Sequence, residues 1–416
     1  MKILSVVGAR PNFMKIAPLY LAIDKYMKDP SPPVSIRHIL VHTGQHYDKQ
    51  LSDIFLKDLC LPKPDYDLGV GSASHAVQTA EIMKRFEGVL LAEKPDFVLL
   101  VGDVNSTLAC SLVATKIQYN SHGSRPLIAH IEAGLRSCDR SMPEETNRIV
   151  TDHVSDLLFV TEESAIANLT KEGLAGDKIH FVGNTMIDSL LLFKKAAGKS
   201  PILDRLGLSR TAKNAVSGIT ATIPYALCTL HRPANVDDDD AFTNILKALA
   251  DISTSIPILF PCHPRTKNRI ADLNLDGFFN HVSPIDMSDS QISHHPAKNT
   301  RIKESINLIE PLGYLDFLQI MSHSKIVFTD SGGIQEETTC LGIPCVTLRE
   351  NTERPVTITH GTNVLAGMNR KGIQKAYVSQ MRKKFKPSAP QYWDGKASER
   401  ILQILINTYT SRHENT

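Results

Sequence analysis

Short apolar runs alternate with longer stretches of helical periodicity from one end of this chain to the other. Runs such as KILSVVG, DFVLLVG and KIVFTDSGG are continuously apolar, which is typical of parallel strands covered on both faces. Ser106 to Gln118 and Asp240 to Ser253 lie between such runs and space their apolar residues as amphipathic helices do. The alternation predicts an α/β fold in which each half of the chain forms a parallel sheet flanked by helices.

The length of 416 residues favours two domains over one. We place their boundary near residue 187, after VGNTMIDSL, because the following stretch is polar and poor in strand signals. The predicted segments are an N-terminal domain, a C-terminal domain and a final helical segment: residues 1–186, 187–390 and 391–416. Two polar segments rich in turn-forming residues, Ser209 to Ile223 and Ser283 to Arg301, are predicted to be exposed, mobile loops.

Composition excludes several classes of function. A net charge of +2 argues against a nucleic-acid-binding protein, which normally needs a basic excess or stripe. We predict no membrane association, because no apolar stretch is long enough to cross a bilayer, and we interpret MKILSVVGARP as a first strand rather than a signal peptide. The seven cysteines are scattered and form no C-x-x-C pair, which predicts reduced thiols in a cytoplasm-like compartment and disfavours zinc.

Polar side chains follow the predicted strands, where parallel α/β sheets bind ligands. The first strand ends at Gly8 and is followed by Arg10 and Lys15, which flank a turn into a helix. These cations either hold a diphosphate or lie on a solvated surface. The chain has neither a G-x-G-x-x-G nor a P-loop pattern, so a standard dinucleotide or P-loop site is not supported.

Three carboxylates follow later strands of the first half. Asp103 ends the strand DFVLLVG and either caps the next helix or takes part in catalysis. Glu132 lies in an apolar strand end, where a carboxylate is costly unless it is paired. Glu144 follows Pro143 in the first turn of a helix, either as a surface acid or as a group that faces the same cleft. Together the three would form a cluster able to act as acid and base.

The second half repeats this arrangement. Ser331, Gly332 and Gly333 join an apolar strand to a helix, so their backbone N–H groups suit an anionic or hydroxyl-rich ligand. His231 ends another buried strand, as a phosphate contact or a proton donor. Arg354 also lies beyond a strand.

Nine fragments occur in an order that resembles the non-hydrolysing UDP-N-acetylglucosamine 2-epimerase family. They are GARPNFMK, TGQHYD, GDVNST, HIEAGLRS, PEETNR, GNTMIDSL, TLHRPANVDD, DSGGIQEE and TERP, spread over residues 1 to 367. The resemblance implies two Rossmann-like doubly wound domains in a glycosyltransferase-B-type arrangement, with a sugar nucleotide in the cleft between them. It also implies a C-terminal helix that crosses back to the first domain.

The same resemblance implies a role for individual residues. It assigns acid/base catalysis to three carboxylates and adds the histidine to the catalytic set: Asp103, Glu132, Glu144 and His231. It assigns the nucleotide to a second set: Arg10, Lys15, His231 and Arg354 at the phosphates, Ser331, Gly332 and Gly333 at the diphosphate, Glu337 at the ribose, and Phe317 at the uridine.

The implied reaction is inversion at C2 of a UDP-N-acetyl-hexosamine. UDP leaves C1 as the C2 proton is removed, a 2-acetamidoglucal forms, and UDP returns after protonation of the other face. This route needs no cofactor and no metal, and the resemblance further implies a cytoplasmic homodimer. The alternatives are a hydrolysing relative that releases UDP and free sugar, a glycosyltransferase on the same fold, and a sugar-nucleotide-binding regulator without turnover.

Overall fold

The computed structural model describes residues 1–45, 49–120, 123–211, 220–262, 264–282, 302–385 and 389–414. The chain divides into two compact units, Met1–Leu192 with Ala389–Thr416, and Phe193–Ser388. The boundary placed at residue 187 lies inside a helix, Thr185–Ala197, which begins in the first unit and continues past Leu192 into the second.

The first unit alternates strands and helices as the sequence pattern predicts. Its elements are β1 (Lys2–Val7), α1 (Arg10–Met27), β2 (Arg37–His42), α2 (Lys49–Asp58), β3 (Tyr66–Asp67), α3 (His75–Glu93), β4 (Phe97–Val101), α4 (Asn105–Lys116), β5 (Leu127–Ala133), α5 (Pro143–Val154), β6 (Leu157–Val160), α6 (Glu163–Lys171), β7 (Ile179–Phe181) and α7 (Thr185–Ala197). The seven strands pair in the order β3-β2-β1-β4-β5-β6-β7, and every pairing is parallel. The central strands are buried on both faces, which is why they are apolar without alternation.

The second unit repeats this architecture. Its elements are α8 (Ile202–Arg205), β8 (Ser209–Thr211), β9 (Thr220–Thr222), β10 (Ala226–Thr229), α9 (Pro233–Val236), α10 (Asp239–Ser253), β11 (Ile258–Pro261), α11 (Pro264–Asp272), β12 (Phe279–His281), β13 (Ile306–Ile309), α12 (Tyr314–Ser322), β14 (Ile326–Thr329), α13 (Gly332–Leu341), β15 (Cys345–Thr347), α14 (Val356–Thr359), β16 (Asn363–Leu365) and α15 (Arg370–Arg382). Seven strands again form a parallel sheet, in the order β12-β13-β11-β10-β14-β15-β16. The predicted α/β class with two Rossmann-like sheets is confirmed.

One loop prediction is wrong in part. Strands β8 and β9, at the two ends of the polar segment Ser209 to Ile223, pair antiparallel with Ser209 opposite Thr222. The segments SRT and TAT contain β-branched threonines, which favour strands even where the surrounding sequence is polar. The other predicted loop, 283–301, lies outside the described residues.

The C-terminal helix α16 (Ala397–Glu414) belongs to the first unit, where it packs against α1. Asp188 of α7 accepts hydrogen bonds from the backbone N–H groups of Ala397 (3.1 Å) and Ser398 (2.7 Å), and so caps this helix. Just before it, the buried Trp393 donates from Nε1 to the carbonyl oxygen of Thr161 at 2.9 Å. These contacts fix the final segment of the chain to the first unit.

In each sheet the order in which successive strands are added reverses at one point, and polar residues are concentrated there. In the first sheet the order reverses between β1 and β4, and in the second between β10 and β14. Side chains that follow neighbouring parallel strands meet beyond their carboxyl ends, which is the general ligand-binding position of such sheets. Arg10 and Asp103 follow the first pair of strands, and His231 and Ser331 follow the second.

Candidate active site

Asn12 joins the turn after β1 to the end of β4. Its Oδ1 accepts hydrogen bonds from the backbone N–H groups of Gly8 (3.0 Å) and Ala9 (2.9 Å), and its Nδ2 donates to the carbonyl oxygen of Val101 (2.9 Å). The side chain is buried, so these contacts are made away from water. They fix the start of α1, at Arg10, beside the carboxyl end of the neighbouring strand.

Lys15 and Glu132 form a buried ion pair at the same edge of the sheet. Lys15 Nζ donates to Glu132 Oε1 at 2.7 Å, and the two residues are only 6% and 4% exposed. The sequence placed Lys15 among the phosphate contacts and Glu132 among the catalytic carboxylates, and the structure brings the two together. Gly102 lies directly beside the pair, because a Cβ there would be 2.9 Å from Lys15 Nζ.

Glu132 has a left-handed backbone at the end of β5. Its φ is +76°, a conformation that residues other than glycine adopt rarely and that costs about 1–3 kcal/mol. The pairing of β5 with β6 shifts register at this point, between Ile131 and Ala133. The strained residue lies at a buried strand end beside Lys15. Backbone strain of this kind is found most often at functional sites, which supports a functional role for Glu132.

Asp103 does not cap the helix that follows it. Val104 occupies the N-cap position of α4 without a side-chain hydrogen bond. Asp103 Oδ2 instead accepts from Nη1 of the buried Arg148 at 2.5 Å. Of the two alternatives that the sequence left open, the structure therefore rejects the cap.

The two glutamates at the start of α5 have different surroundings. Glu145 is buried and accepts hydrogen bonds from Ser137 N (3.0 Å) and from Arg148 Nη2 (2.5 Å). Burial works to raise the pKa of Glu145, but these hydrogen bonds and the charge of Arg148 outweigh it and hold the pKa below its ordinary value. Glu144 is half-buried in the first turn of the helix. Glu145 thus fixes the arginine that holds Asp103, a role that the sequence did not reveal.

In the second unit, His231 pairs with a fully buried aspartate. The ring Nδ1 lies 2.7 Å from Asp330 Oδ1, while the imidazole side chain is 55% exposed. Asp330 also accepts from the backbone N–H groups of His231 (3.0 Å) and Arg232 (2.9 Å). Burial works to raise the pKa of Asp330, but His231 and these N–H groups hold it below its ordinary value. Asp330 therefore fixes the orientation of the imidazole. The sequence feature that could have identified Asp330 is its position directly after a buried strand.

Arg354 lies against the N-terminus of α13. A Cβ on Gly332, the first residue of this helix, would be 2.3 Å from Arg354 Nη1, so only glycine leaves room for the guanidinium. Ser331 precedes it at the N-cap position, where its side chain makes no cap, and the next helical residue is Gly333. An anion at this point would meet both the helix N-terminus and a cation.

Two buried glutamates hold Arg354 in place. Its Nε donates to Glu336 Oε1 at 2.7 Å, and its Nη1 lies 3.5 Å from Glu353 Oε2. Glu353 also accepts from Arg349 at 2.7 Å, and although burial works against it, the arginines lower the pKa of Glu353 well below its ordinary value. The sequence selected Arg354 and missed Glu336, which stands one position before the assigned Glu337.

Glu337 is buried on the next position of α13, opposite α12. Tyr314 donates from its hydroxyl to Glu337 Oε1 at 3.2 Å. Burial, reinforced by the charge of Glu336, raises the pKa of Glu337 to about 8. Phe317 is half-buried three residues after Tyr314, and so lies on the same face of α12.

The raised pKa makes thermal stability depend on pH through Glu337. The folded-state value of about 8 exceeds the ordinary value of 4.5, so the contribution of this group is complete below pH 4.5 and is lost as pH rises through about 8. We expect the melting temperature of Glu337→Gln, relative to wild type, to rise between pH 5 and pH 8, because wild type loses the contribution of the protonated Glu337 in this window and the glutamine variant has none to lose. Differential scanning calorimetry measures it. The exposed Glu163→Gln should track wild type, and a Glu337→Gln curve parallel to wild type would contradict the assignment.

No group of three His, Cys, Asp or Glu side chains is placed to hold a metal ion within the part of the chain that the structure describes. Among the described helices, none has the length and apolar character to cross a membrane.

The chain matches known proteins over nearly its whole length. The sequence model of the UDP-N-acetylglucosamine 2-epimerase family matches residues 32–406. The chain is 38% identical over 407 residues to the UDP-N-acetylglucosamine 2-epimerase of Methanocaldococcus jannaschii, covering 97% of this chain and 99% of the relative. It is also 38% identical over 408 residues to the UDP-2,3-diacetamido-2,3-dideoxy-D-glucuronate 2-epimerase of Pseudomonas aeruginosa, covering 97% and 99%.

A crystal structure gives the same result. That of the Methanocaldococcus jannaschii UDP-GlcNAc 2-epimerase in complex with UDP-GlcNAc and UDP superposes with a TM-score of 0.79 at 37% identity, covering 98% of this chain and 100% of that one. Sequence and fold therefore agree, and the chain belongs to the UDP-N-acetylglucosamine 2-epimerase family.

Proposed function

We propose that this chain catalyses the reversible C2 epimerisation of UDP-N-acetylglucosamine, or of a close UDP-N-acetyl-hexosamine. The observation that carries the proposal is the pair of carboxylates, Asp103 and Glu132, at the switch point of the first sheet. Each is held by a buried cation, Asp103 by Arg148 and Glu132 by Lys15. Carboxylates with fixed positions suit the removal and return of a proton.

In this proposal the second unit binds UDP. The diphosphate lies at the N-terminus of α13, where Ser331, Gly332 and Gly333 precede or begin the helix and Arg354 lies against it. His231, oriented by Asp330, serves as a phosphate contact and as a proton donor to the departing UDP. The ribose hydroxyls contact Glu337 and the uracil contacts Phe317.

The first unit carries out the proton transfers. The C2 proton is not acidic, because no carbonyl group is attached to that carbon. It therefore leaves as the C1–O bond to UDP breaks, which gives a C1–C2 double bond and free UDP. A proton then adds to the other face of C2, and a UDP oxygen adds back to C1. Asp103, Glu132 and Glu144 are the proposed acid/base groups, and Arg10 and Lys15 stabilise the charge of the departing diphosphate.

A second candidate substrate differs in its sugar substituents. The equal identity to a UDP-2,3-diacetamido-2,3-dideoxy-D-glucuronate 2-epimerase makes that sugar nucleotide a second candidate substrate. Incubation of the protein with each nucleotide in turn, followed by proton NMR of the products, separates the two.

Product formed in deuterated water should carry deuterium at C2. The removed proton stays on an enzyme carboxylate, and the returning proton comes from a group that has exchanged with solvent. Mass spectrometry and NMR of the epimer measure the label, and protein inactivated by heat is the control. A product that keeps its original hydrogen at C2 would contradict the elimination route, and release of free sugar would indicate a hydrolysing enzyme.

We also infer a homodimer and a cytoplasmic location. The support for the dimer is the family membership, and sedimentation velocity of the purified chain tests it. The support for the location is that none of the seven cysteines, all of which lie in the described residues, forms a disulfide, as is usual in a reducing compartment.

A further inference from the structure

A buried histidine lies behind the proposed catalytic carboxylates. His130 is on β5, two residues before Glu132, and is completely buried. Its ring contacts Asp152 of α5 on one side and the backbone of Gly102, next to Asp103, on the other. Nothing in the proposed reaction gives this histidine a contact with substrate.

Both ring nitrogens of His130 face hydrogen-bond acceptors. Nε2 lies 2.8 Å from the carbonyl oxygen of Gly102, and Nδ1 lies 2.6 Å from Asp152 Oδ1. A carbonyl oxygen only accepts, so Nε2 carries a proton. The other oxygen of Asp152 accepts from Gly134 N at 3.0 Å and lies 2.7 Å from Arg136 Nη2. A carboxylate in contact with an arginine is ionised, so Nδ1 carries a proton as well.

The surrounding charges balance a cationic ring. Arg136 lies between two acids, Asp152 at 2.7 Å and Glu172 at 2.7 Å, and His130 ends this row. Although burial works to raise the pKa of Asp152, the neighbouring His130 and Arg136 hold it below its ordinary value. Two cations then alternate with two anions. Buried charges are tolerated when they are paired in this way, and a protonated His130 gives the fully buried Asp152 a cation on each side.

The contact with Gly102 fixes the peptide that carries Asp103. Gly102 has a φ of +69°, and glycine populates positive and negative φ about equally, so its own backbone preference does not hold it there. Its N–H donates to the carbonyl oxygen of Ile131 at 3.1 Å, and its own carbonyl accepts from His130. The carbonyl of Asp103 accepts from Asn147 Nδ2 at 2.8 Å. His130 therefore supplies one of the hydrogen bonds that hold this glycine in one conformation.

We propose that the His130 ring donates from both nitrogens, as an imidazolium, and acts as a positioning residue for Asp103 through the Gly102 carbonyl. The predicted effect on turnover rests on the proposed epimerase function, whereas the protonation of the ring and its contact with Gly102 do not. The cationic ring donates at both ends, which a neutral imidazole is unable to do.

Nitrogen NMR of the histidine-labelled protein tests the protonation without any substrate. We expect one histidine with both ring nitrogens in the range of protonated nitrogens, and we expect its signals to vanish in His130→Gln. A pair of signals typical of a neutral ring, one protonated and one bare nitrogen, would overturn the imidazolium. In the same variant the backbone amide signal of Asp103 should move, and an unmoved signal would overturn the positioning role.

Kinetics test the consequence for the reaction. His130→Gln should lower kcat by about 10- to 100-fold with little change in KM, since misplacing a reacting group by about 1 Å costs about 100-fold. Asp152→Asn removes the counter-charge and one of the two contacts that orient the ring, so kcat should fall in this variant too, but by less than in His130→Gln, which loses the Gly102 contact itself. UDP affinity by calorimetry should stay at the wild-type value in both.

The control is His413→Gln at the exposed end of α16, which should behave as wild type. Wild-type kcat in both His130→Gln and Asp152→Asn would overturn the positioning role. A wild-type protein that turns over neither candidate nucleotide would contradict the proposed function instead, and the NMR signals of His130 and Asp103 would then decide this proposal alone.

Discussion

Glu132→Gln is expected to lower kcat by about 100-fold or more while KM stays within a few-fold, as for a group that acts in the transition state. Glutamine keeps the length and an oxygen for Lys15, which donates to Glu132 at 2.7 Å. The change removes the charge and the capacity to take up a proton while keeping the shape. Because it leaves the buried Lys15 without its counter-charge, it should also lower the melting temperature, and kcat is therefore measured on the folded variant. Asp103→Asn and Glu144→Gln should behave in the same way. Steady-state kinetics with UDP-N-acetylglucosamine, and the rate of deuterium entry at C2, measure the loss.

Two matched glutamates separate catalysis from folding. Glu145 stands next to Glu144 but is buried against Ser137 and Arg148, so Glu145→Gln should lower the melting temperature as well as the rate. Glu163, also in the first turn of a helix but exposed, should tolerate the same change. Near-normal turnover in all three of the proposed catalytic variants would show that the carboxylate assignment is wrong.

Arg354→Lys is expected to weaken UDP binding by about 100-fold, because lysine does not make the forked hydrogen bonds to the diphosphate proposed for arginine, and a hydrogen bond to a charged group contributes about 1.5–3 kcal/mol. Lysine keeps the charge, but it loses the planar fork that donates to Glu336 and lies against Gly332. Gly332→Ala should give a loss of the same kind, since its Cβ would be 2.3 Å from Arg354 Nη1 and would push the guanidinium away. Isothermal titration with UDP alone measures both.

The exposed Arg382→Lys, on α15, is the control for a change of arginine that should leave UDP binding unaltered. Melting temperatures of all the variants separate lost binding from lost folding. The location of the diphosphate at the N-terminus of α13 would be wrong if both Arg354→Lys and Gly332→Ala bound UDP as wild type does.

The sequence by itself determined the α/β class and the positions at which polar residues leave the strands. Both depend on local patterns: continuous apolar runs for buried parallel strands, and helical spacing between them. Because parallel strands end at one edge of a sheet, residues such as Arg10, Asp103, His231 and Ser331 could be placed at that edge without coordinates. Strands β3, β12 and β16 have two or three residues each and carry no periodicity to detect.

Only the tertiary structure decided which side chains become partners. Lys15 and Glu132 are 117 positions apart, and His231 and Asp330 are 99 positions apart, so no local pattern relates them. The same holds for Arg148, which donates to Asp103, and for Arg354, which donates to Glu336. The raised pKa of Glu337 also arises from burial by α12 and α13 together. Pairing and desolvation depend on distances of a few ångströms between remote segments, and such distances exist only in the folded chain.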